Sequence, residues 1–151
     1  MRLALPLWLW RSGFAAYAIL LSTATHWPRL KITGPVPRPD LWIHFTAFGL
    51  FTVALNLARP YRWLWQDPRA QTAMLAYAIA YAWVDESAQA IPGLGRTFDP
   101  ADLAANTVGC LLGALVVAGL SRVCPAKPLP AATVSAKTSQ AKAVPQPASD
   151  R

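Results

Sequence analysis

The hydrophobic positions of the chain fall into four long apolar stretches. These stretches are separated by short loops that contain proline and charged residues. Each stretch is predicted to form a helix, and the four helices cover residues 12–27, 41–58, 70–91 and 101–120. The first helix extends back to residue 3 if Arg11 lies at the membrane interface, where its long side chain reaches polar headgroups. Eighteen helical residues span about 27 Å, close to the ~30 Å hydrocarbon core of a bilayer. The pattern predicts an all-α integral membrane protein built as a four-helix transmembrane bundle.

The first apolar stretch has a second interpretation, as a secretory signal peptide that is removed. Arg2, an apolar run and the small residues Ser22, Thr23 and Ala24 loosely resemble such a peptide with its cleavage site. Arg11 splits the apolar run, and the first half is already rich in leucine and tryptophan, so a retained helix is favoured. Cleavage would leave three helices.

The composition changes at residue 123, where proline, alanine, serine, threonine, glutamine and lysine replace the apolar residues. A segment of this kind has too little apolar surface to offset the entropy that ordering it would cost. The sequence therefore predicts a membrane domain over residues 1–122 and a disordered Pro/Ala/Lys-rich tail over residues 123–151.

The overall composition supports the bilayer as the surrounding solvent. Hydrophobic residues make up 54% of the chain and charged residues 14%, whereas soluble domains carry about 25% charged residues. The net charge is +7, but apolar runs separate the basic residues, so nucleic acid is not expected as a partner. Cys110 and Cys124 are fourteen residues apart, roughly 21 Å along one helix and too far for a disulfide. No zinc-ligand spacing is present, and no cofactor is predicted.

The basic residues near the predicted helix ends indicate the orientation. If the N-terminus is cytoplasmic, seven of these residues lie on the inner side of the membrane and four on the outer side. This distribution agrees with the known excess of basic residues on the cytoplasmic side of membrane proteins. The inner residues are Arg2, Arg11, Arg59, Arg62, Arg69, Arg122 and Lys127, and the outer ones are Arg29, Lys31, Arg38 and Arg96. All seven tryptophans fall at predicted boundaries, where indole rings prefer to lie. The chain is predicted to be a multi-pass protein with both termini in the cytoplasm.

The ionisable and amide side chains of the predicted helices gather at one level. In this orientation the outer ends of the second, third and fourth helices carry Asp40, His44, Asp85, Glu86, Gln89, Asp102 and Asn106. In the fourth helix, a spacing of three and four residues places Asp99, Asp102, Asn106, Gly109 and Gly113 on one stripe. A carboxylate near the hydrocarbon boundary costs a few kcal/mol unless it is solvated or paired. These groups are expected to face each other or an outward-opening pocket.

A purely structural role stays open for several of these residues. Asp99 or Asp102 could cap the fourth helix, where the helix dipole favours a carboxylate. Asp85 could be a solvated neighbour of Glu86, and His44 could be a hydrogen-bonded structural group.

The spacing of the polar residues resembles that of a known family. Residues 86–113 read E-x-x-Q-x-x-P-G-x-x-R-x-x-D-x-x-D-x-x-A-N-x-x-G-x-x-x-G, and residues 40–45 read D-x-x-x-H-F. The combined pattern, over about residues 38–116, resembles the VanZ-like family of small bacterial membrane proteins, which is named for an accessory protein of teicoplanin resistance. The resemblance implies a bacterial inner-membrane protein with the signature residues His44, Glu86, Gln89, Arg96, Asp102, Asn106 and Gly109.

Three kinds of site follow from these residues. The favoured one is a non-enzymatic outer pocket that binds an envelope lipid or glycan precursor, or a membrane protein partner. Among its residues, Arg96 is suited to bind a phosphate or a carboxylate by forked hydrogen bonds. The candidate ligand-binding residues are His44, Glu86, Gln89, Arg96, Asp102 and Asn106.

The second kind of site is that of a membrane enzyme acting on a lipid-linked substrate, with Glu86 or Asp102 as general acid or base and His44 as its partner. The third is a divalent-metal site at His44, Glu86 and Asp102, ligand types that suit zinc or manganese.

Overall fold

The computed structural model describes residues 6–27, 37–59, 67–93 and 96–123. In these ranges the chain forms four helices and no strand: α1 (Leu7–Thr25), α2 (Pro39–Leu57), α3 (Pro68–Gln89) and α4 (Pro100–Val123). The prediction of an all-helical chain with four helices is confirmed, and the helix ends lie within a few residues of the predicted ones. Helix α4 extends to Val123, one residue into the predicted tail, and the rest of that tail lies outside the described residues.

Proline marks the first turn of three of the four helices. Pro39, Pro68 and Pro100 are the first residues of α2, α3 and α4. The first N–H groups of a helix have no intrahelical partner, so a proline is tolerated there and its fixed φ favours the helix. The side chain of Asp67 also caps α3. The helix starts are therefore determined locally by the sequence.

Helices α2 and α4 form the most extensive helix pair in the described bundle. Gly109 and Gly113 of α4 face α2, and a Cβ atom at either position would collide with the backbone of Phe45 or Gly49. Small residues at such positions let two helix backbones approach closely. The glycine stripe of α4 therefore positions the polar residues of the same helix face against α2.

An aromatic cluster joins α1, α2 and α3 in the middle of the bundle. Phe51 of α2 stacks on Tyr81 of α3 with ring centroids 4.7 Å apart, and Phe14 of α1 lies 5.4 Å from Phe51. Phe48 completes the cluster and is fully buried. The buried histidine and carboxylates, His44, Asp85, Glu86 and Asp102, lie to one side of this apolar core.

The outer surface of the described bundle is rich in apolar side chains. Trp27, Trp42 and Trp83 are each more than half exposed, as are several leucine, isoleucine and valine side chains. Helices α2 and α4 are long and apolar enough to cross a membrane, and only 28% and 33% of their apolar windows are buried inside the bundle. Length and composition therefore support two of the four predicted membrane spans.

The helices alternate in direction, so α1 and α3 end where α2 and α4 begin. The Thr25 hydroxyl at the end of α1 donates to Asp85 of α3 at 3.0 Å, and His44 near the start of α2 lies 3.0 Å from Asn106 of α4. We call this end of the bundle the polar end. Its ionisable and amide residues are His26, Arg38, Asp40, His44, Asp85, Glu86, Gln89, Arg96, Asp99, Asp102 and Asn106.

Candidate functional site

A continuous chain of hydrogen bonds joins the end of α3 to the segment that leads into α4. Arg96 Nε donates to Gln89 Oε1 at 2.8 Å, and Gln89 Nε2 donates to Glu86 Oε2 at 3.2 Å. Glu86 Oε1 accepts the backbone N–H of Asp99 at 2.9 Å. Glu86 and Gln89 are three positions apart, share one face of α3 and are fully buried. The bonds hold Arg96 at the polar end and use both oxygens of Glu86.

A second group of polar side chains joins α2 to α4. His44 Nδ1 lies 3.0 Å from Asn106 Oδ1, within hydrogen-bond distance. The other ring nitrogen, Nε2, lies 3.6 Å from Asp102 Oδ2. His44, Asp102 and Asn106 are all buried. The contact with Asn106 thus orients the imidazole and turns its Nε2 atom toward the Asp102 carboxylate.

Arg38 forms an ion cluster at the surface of the polar end. Its Nη2 atom lies 2.7 Å from Asp99, 3.1 Å from Asp40 and 3.7 Å from Asp102. The hydrogen bond from the Ala101 N–H and the bond from Arg38 lower the pKa of Asp99, and these carboxylates raise the pKa of Arg38. The sequence pattern places Arg38 only among the basic residues of the loops. Its position directly before Pro39, at the start of α2, is the signal that brings it to the site.

Asp99 does not lie on the polar stripe of α4, because that helix begins at Pro100. It precedes the helix and accepts a hydrogen bond from the Ala101 N–H at 2.8 Å. The alternative that Asp99 caps the helix is therefore the correct one. Asp102 and Asn106 remain on the buried stripe, in register with Gly109 and Gly113.

Asp85 is buried and is not a solvated neighbour of Glu86. Its side chain is 1% exposed, and its Oδ1 accepts from the Thr25 hydroxyl. His26 Nδ1 lies 3.7 Å from the same oxygen. Asp85 points toward α1, on a different side of α3 from the Glu86 contacts, so the alternative of a solvated side chain does not apply to it. The contact needs Thr25 at the end of α1, a residue that the sequence analysis did not connect with α3.

A cleft of about 200 Å³ lies between α1 and α2 and reaches the polar end. Most of its lining is apolar, with Tyr17, Leu21 and Phe48 among the lining side chains, whereas His44 and Arg96 supply charged or polar groups. Glu86 and Asp102 were expected to line the same pocket, but they are not among its lining residues. The chain of bonds through Gln89 holds Glu86 inside the bundle, away from the cleft.

The guanidinium of Arg96 is available to an anion. Only its Nε atom is bonded to Gln89, and within the described residues no carboxylate lies within 4.0 Å of it. A guanidinium presents two further nitrogens in a fork that matches phosphate or carboxylate oxygens. The cleft therefore combines an apolar wall with a cation that forms no ion pair with a carboxylate of the described residues.

The residues singled out by the sequence pattern converge, although in two groups. Glu86, Gln89 and Arg96 form the hydrogen-bonded chain at the end of α3, and His44, Asp102 and Asn106 form the group between α2 and α4. One potential ligand atom from each of His44, Glu86 and Asp102 lies within 4.8 Å of the others. The two groups thus meet where α2, α3 and α4 come together.

Comparison with known proteins identifies one related family. A family model described as VanZ/LLP1 matches residues 41–121, which include most of α2, all of α3 and most of α4. No curated protein and no solved structure matches the chain. The matched range contains all six of the candidate ligand-binding residues.

Proposed function

The chain belongs to the VanZ-like family, and from that membership we propose that it is a multi-pass protein of the bacterial inner membrane that binds an anionic envelope lipid at its polar end. In this proposal all four helices cross the membrane and both termini lie in the cytoplasm. The polar end then faces the outside of the cell.

The membrane topology draws support from the distribution of charge and of tryptophan. Trp27, Trp42 and Trp83 lie near the polar end on three different helices and are exposed, as expected for rings at a membrane interface. Arg11 and Arg122 lie toward the opposite end of α1 and α4, where the positive-inside bias puts basic residues.

The single observation that carries the proposal is the apolar cleft with Arg96 at its polar end. Lipid tails are as apolar as the side chains that line the cleft, so an acyl or prenyl chain enters it with little change in free energy. Selection then depends on the headgroup. A phosphate or pyrophosphate headgroup would accept hydrogen bonds from the two free nitrogens of Arg96, in a partly dehydrated place that strengthens such bonds.

The test measures which lipids remain bound to the full chain after purification in a mild detergent. We expect phosphate-bearing lipids by native mass spectrometry, and their loss in the Arg96→Gln variant. Arg122→Gln is the matched control, because Arg122 is an exposed basic residue in the last turn of α4. Equal lipid retention in the two variants would contradict the proposal.

A second pair of variants tests the cleft rather than the charge. Ala24 of α1 lines the cleft, whereas Ala16 of the same helix is exposed but is not among the lining residues. We expect Ala24→Phe to fill the cleft and displace the bound lipid, and Ala16→Phe to leave it in place. Reconstitution into nanodiscs with anionic or zwitterionic lipid shows whether the headgroup charge selects the ligand, and added inorganic phosphate shows whether phosphate alone suffices.

The link to glycopeptide resistance is part of the same proposal. An envelope protein that holds a lipid-linked glycan precursor, or a membrane protein partner that handles one, would alter the response to teicoplanin. In a sensitised host, we expect Arg96→Gln to lose any protection that the wild-type chain gives, at equal membrane abundance. If the variant protects the host as well as the wild-type chain does, the resistance role does not depend on the lipid site.

The second candidate function is that of a membrane enzyme acting on a lipid-linked substrate. The observation that favours it is the oriented His44, whose Nε2 atom faces the Asp102 carboxylate beside Glu86. Such a group is suited to general acid and base chemistry. Conversion of the copurified lipid over time by the wild-type chain, but not by His44→Gln, would favour the enzyme over the binding protein.

A further inference from the structure

The meeting point of α2, α3 and α4 holds more negative charge than the described residues neutralise. The polar end contains five carboxylates, and its described arginines are Arg38 and Arg96. Arg38 is shared among three carboxylates, and Arg96 makes its bond to Gln89 rather than to an acid. Glu86 and Asp102 lie at the centre of this group and are 0% and 8% exposed. Two buried carboxylates without a full counter-charge are unfavourable, especially near a hydrocarbon region.

The second observation is an unsatisfied oxygen inside the group. Asp102 Oδ1 is buried and accepts no hydrogen bond within the described residues, and the nearest cationic group is Arg38 Nη2 at 3.7 Å. A buried carboxylate oxygen without a donor costs free energy that a native protein normally recovers through a partner. The missing partner must be positive or must donate a proton.

The geometry of His44 favours a metal ion at the same carboxylate, on the side of its other oxygen, Oδ2. His44 Nδ1 faces Asn106, so Nε2 is the ring nitrogen that faces Asp102 Oδ2, at 3.6 Å. That separation is longer than a hydrogen bond. It is close to the distance of roughly 3.4 Å between two ligand atoms of a tetrahedral site, each of which lies about 2.1 Å from the zinc ion. A metal-binding histidine typically donates its other N–H to a neighbouring oxygen, and Asn106 Oδ1 lies at that position, 3.0 Å from His44 Nδ1.

We infer that His44, Glu86 and Asp102 bind a divalent transition-metal ion of the zinc type, held between α2, α3 and α4. The three ligand atoms lie within 4.8 Å of one another and need to close by at most about 1.4 Å to reach the spacing of a tetrahedral site. One imidazole and two carboxylates leave a fourth position open, and two carboxylates neutralise the charge of the ion.

The inference goes beyond lipid binding and is tested without any lipid. His44 also lines the apolar cleft, so the open position of the ion would lie beside the headgroup end of that cleft. Arg96 and the ion would then contact an anionic ligand from two directions. Failure of the lipid experiments would leave the metal measurements unaffected, and the reverse also holds.

The experiment measures metal content and metal response of the full chain in detergent. We expect stoichiometric zinc by elemental mass spectrometry after purification without chelator, removal of the zinc by EDTA with a lower Tm, and recovery of the Tm on adding Zn²⁺. Co²⁺ in place of zinc should give visible absorption bands typical of a low-coordinate site.

Three variants assign the ligands. We expect Asp102→Asn and His44→Gln to lose the bound zinc and the Tm response, and Asn106→Ala to weaken zinc binding by roughly 10- to 100-fold because it orients the imidazole. Asp40→Asn is the matched control, since Asp40 lies at the same end, contacts Arg38 and is not one of the three ligands.

Two results would overturn the inference. One is a wild-type chain without stoichiometric metal whose Tm and absorption do not respond to Zn²⁺ or Co²⁺. The other is unchanged zinc in Asp102→Asn and His44→Gln, which would place the ion elsewhere on the chain. If a ligand variant fails to fold, the wild-type cobalt spectrum and the Asp40→Asn control still decide the question.

Discussion

Replacing Gly109 by alanine tests whether the close approach of α2 and α4 sets the geometry of the site. A Cβ atom at Gly109 would meet the backbone carbonyl of Phe45, which cannot rotate away as a side chain can. Overpacking costs about 1–3 kcal/mol, and an immovable backbone atom puts this position near ~3 kcal/mol. Alanine regains about 1 kcal/mol of helix propensity relative to glycine. The expected net loss is therefore about 2 kcal/mol in the free energy of unfolding.

Gly119 provides the matched control in the same helix. A Cβ atom there would meet nothing within 4 Å, so Gly119→Ala should gain up to about 1 kcal/mol from propensity alone. The two substitutions are chemically identical, and they should differ by about 3 kcal/mol. Unfolding of the detergent-solubilised chain by titrated denaturing detergent, followed by tryptophan fluorescence, measures both. Equal stability of the two variants would refute the reasoning that Gly109 is required for the approach of the helices.

Three further predictions concern the surface and the ends of the chain. The pKa of Asp99 is lower in the folded protein than in the unfolded chain, so the ionised Asp99 carboxylate stabilises the fold. This stabilisation is fully present above the ordinary carboxyl pKa of about 4, and it is lost as the pH falls through the lower pKa of the folded state. Thermal unfolding from pH 5 to pH 3 should therefore show a smaller loss of stability in Asp99→Asn than in the wild type, and an identical loss would contradict the lowered pKa of Asp99. Reporter fusions after Arg122 should be cytoplasmic and a fusion near Pro92 external, whereas an external C-terminus would reverse the proposed topology. Truncation after Lys127 should leave the Tm nearly unchanged, and a large decrease would mean that the tail packs on the bundle.

The sequence by itself determines the helices and the level at which their polar residues lie. The helices follow from apolar runs of membrane length, and their starts from Pro39, Pro68 and Pro100, which act on the backbone next to them. The spacing of Glu86 and Gln89 places both on one face of α3 without reference to any other helix. These features depend on interactions over one or two helical turns, so a linear pattern contains them.

Only the tertiary structure decides which of these polar residues contact each other. Asp85 bonds to Thr25, sixty residues away, although it is adjacent to Glu86, because neighbouring positions on a helix point in directions about 100° apart. Arg38 reaches Asp99 across sixty-one residues, and the 3.6 Å separation of His44 from Asp102 requires the close approach that Gly109 permits. Contacts of this kind depend on the packing of helices against one another, and helix packing depends on side chains far apart in the sequence.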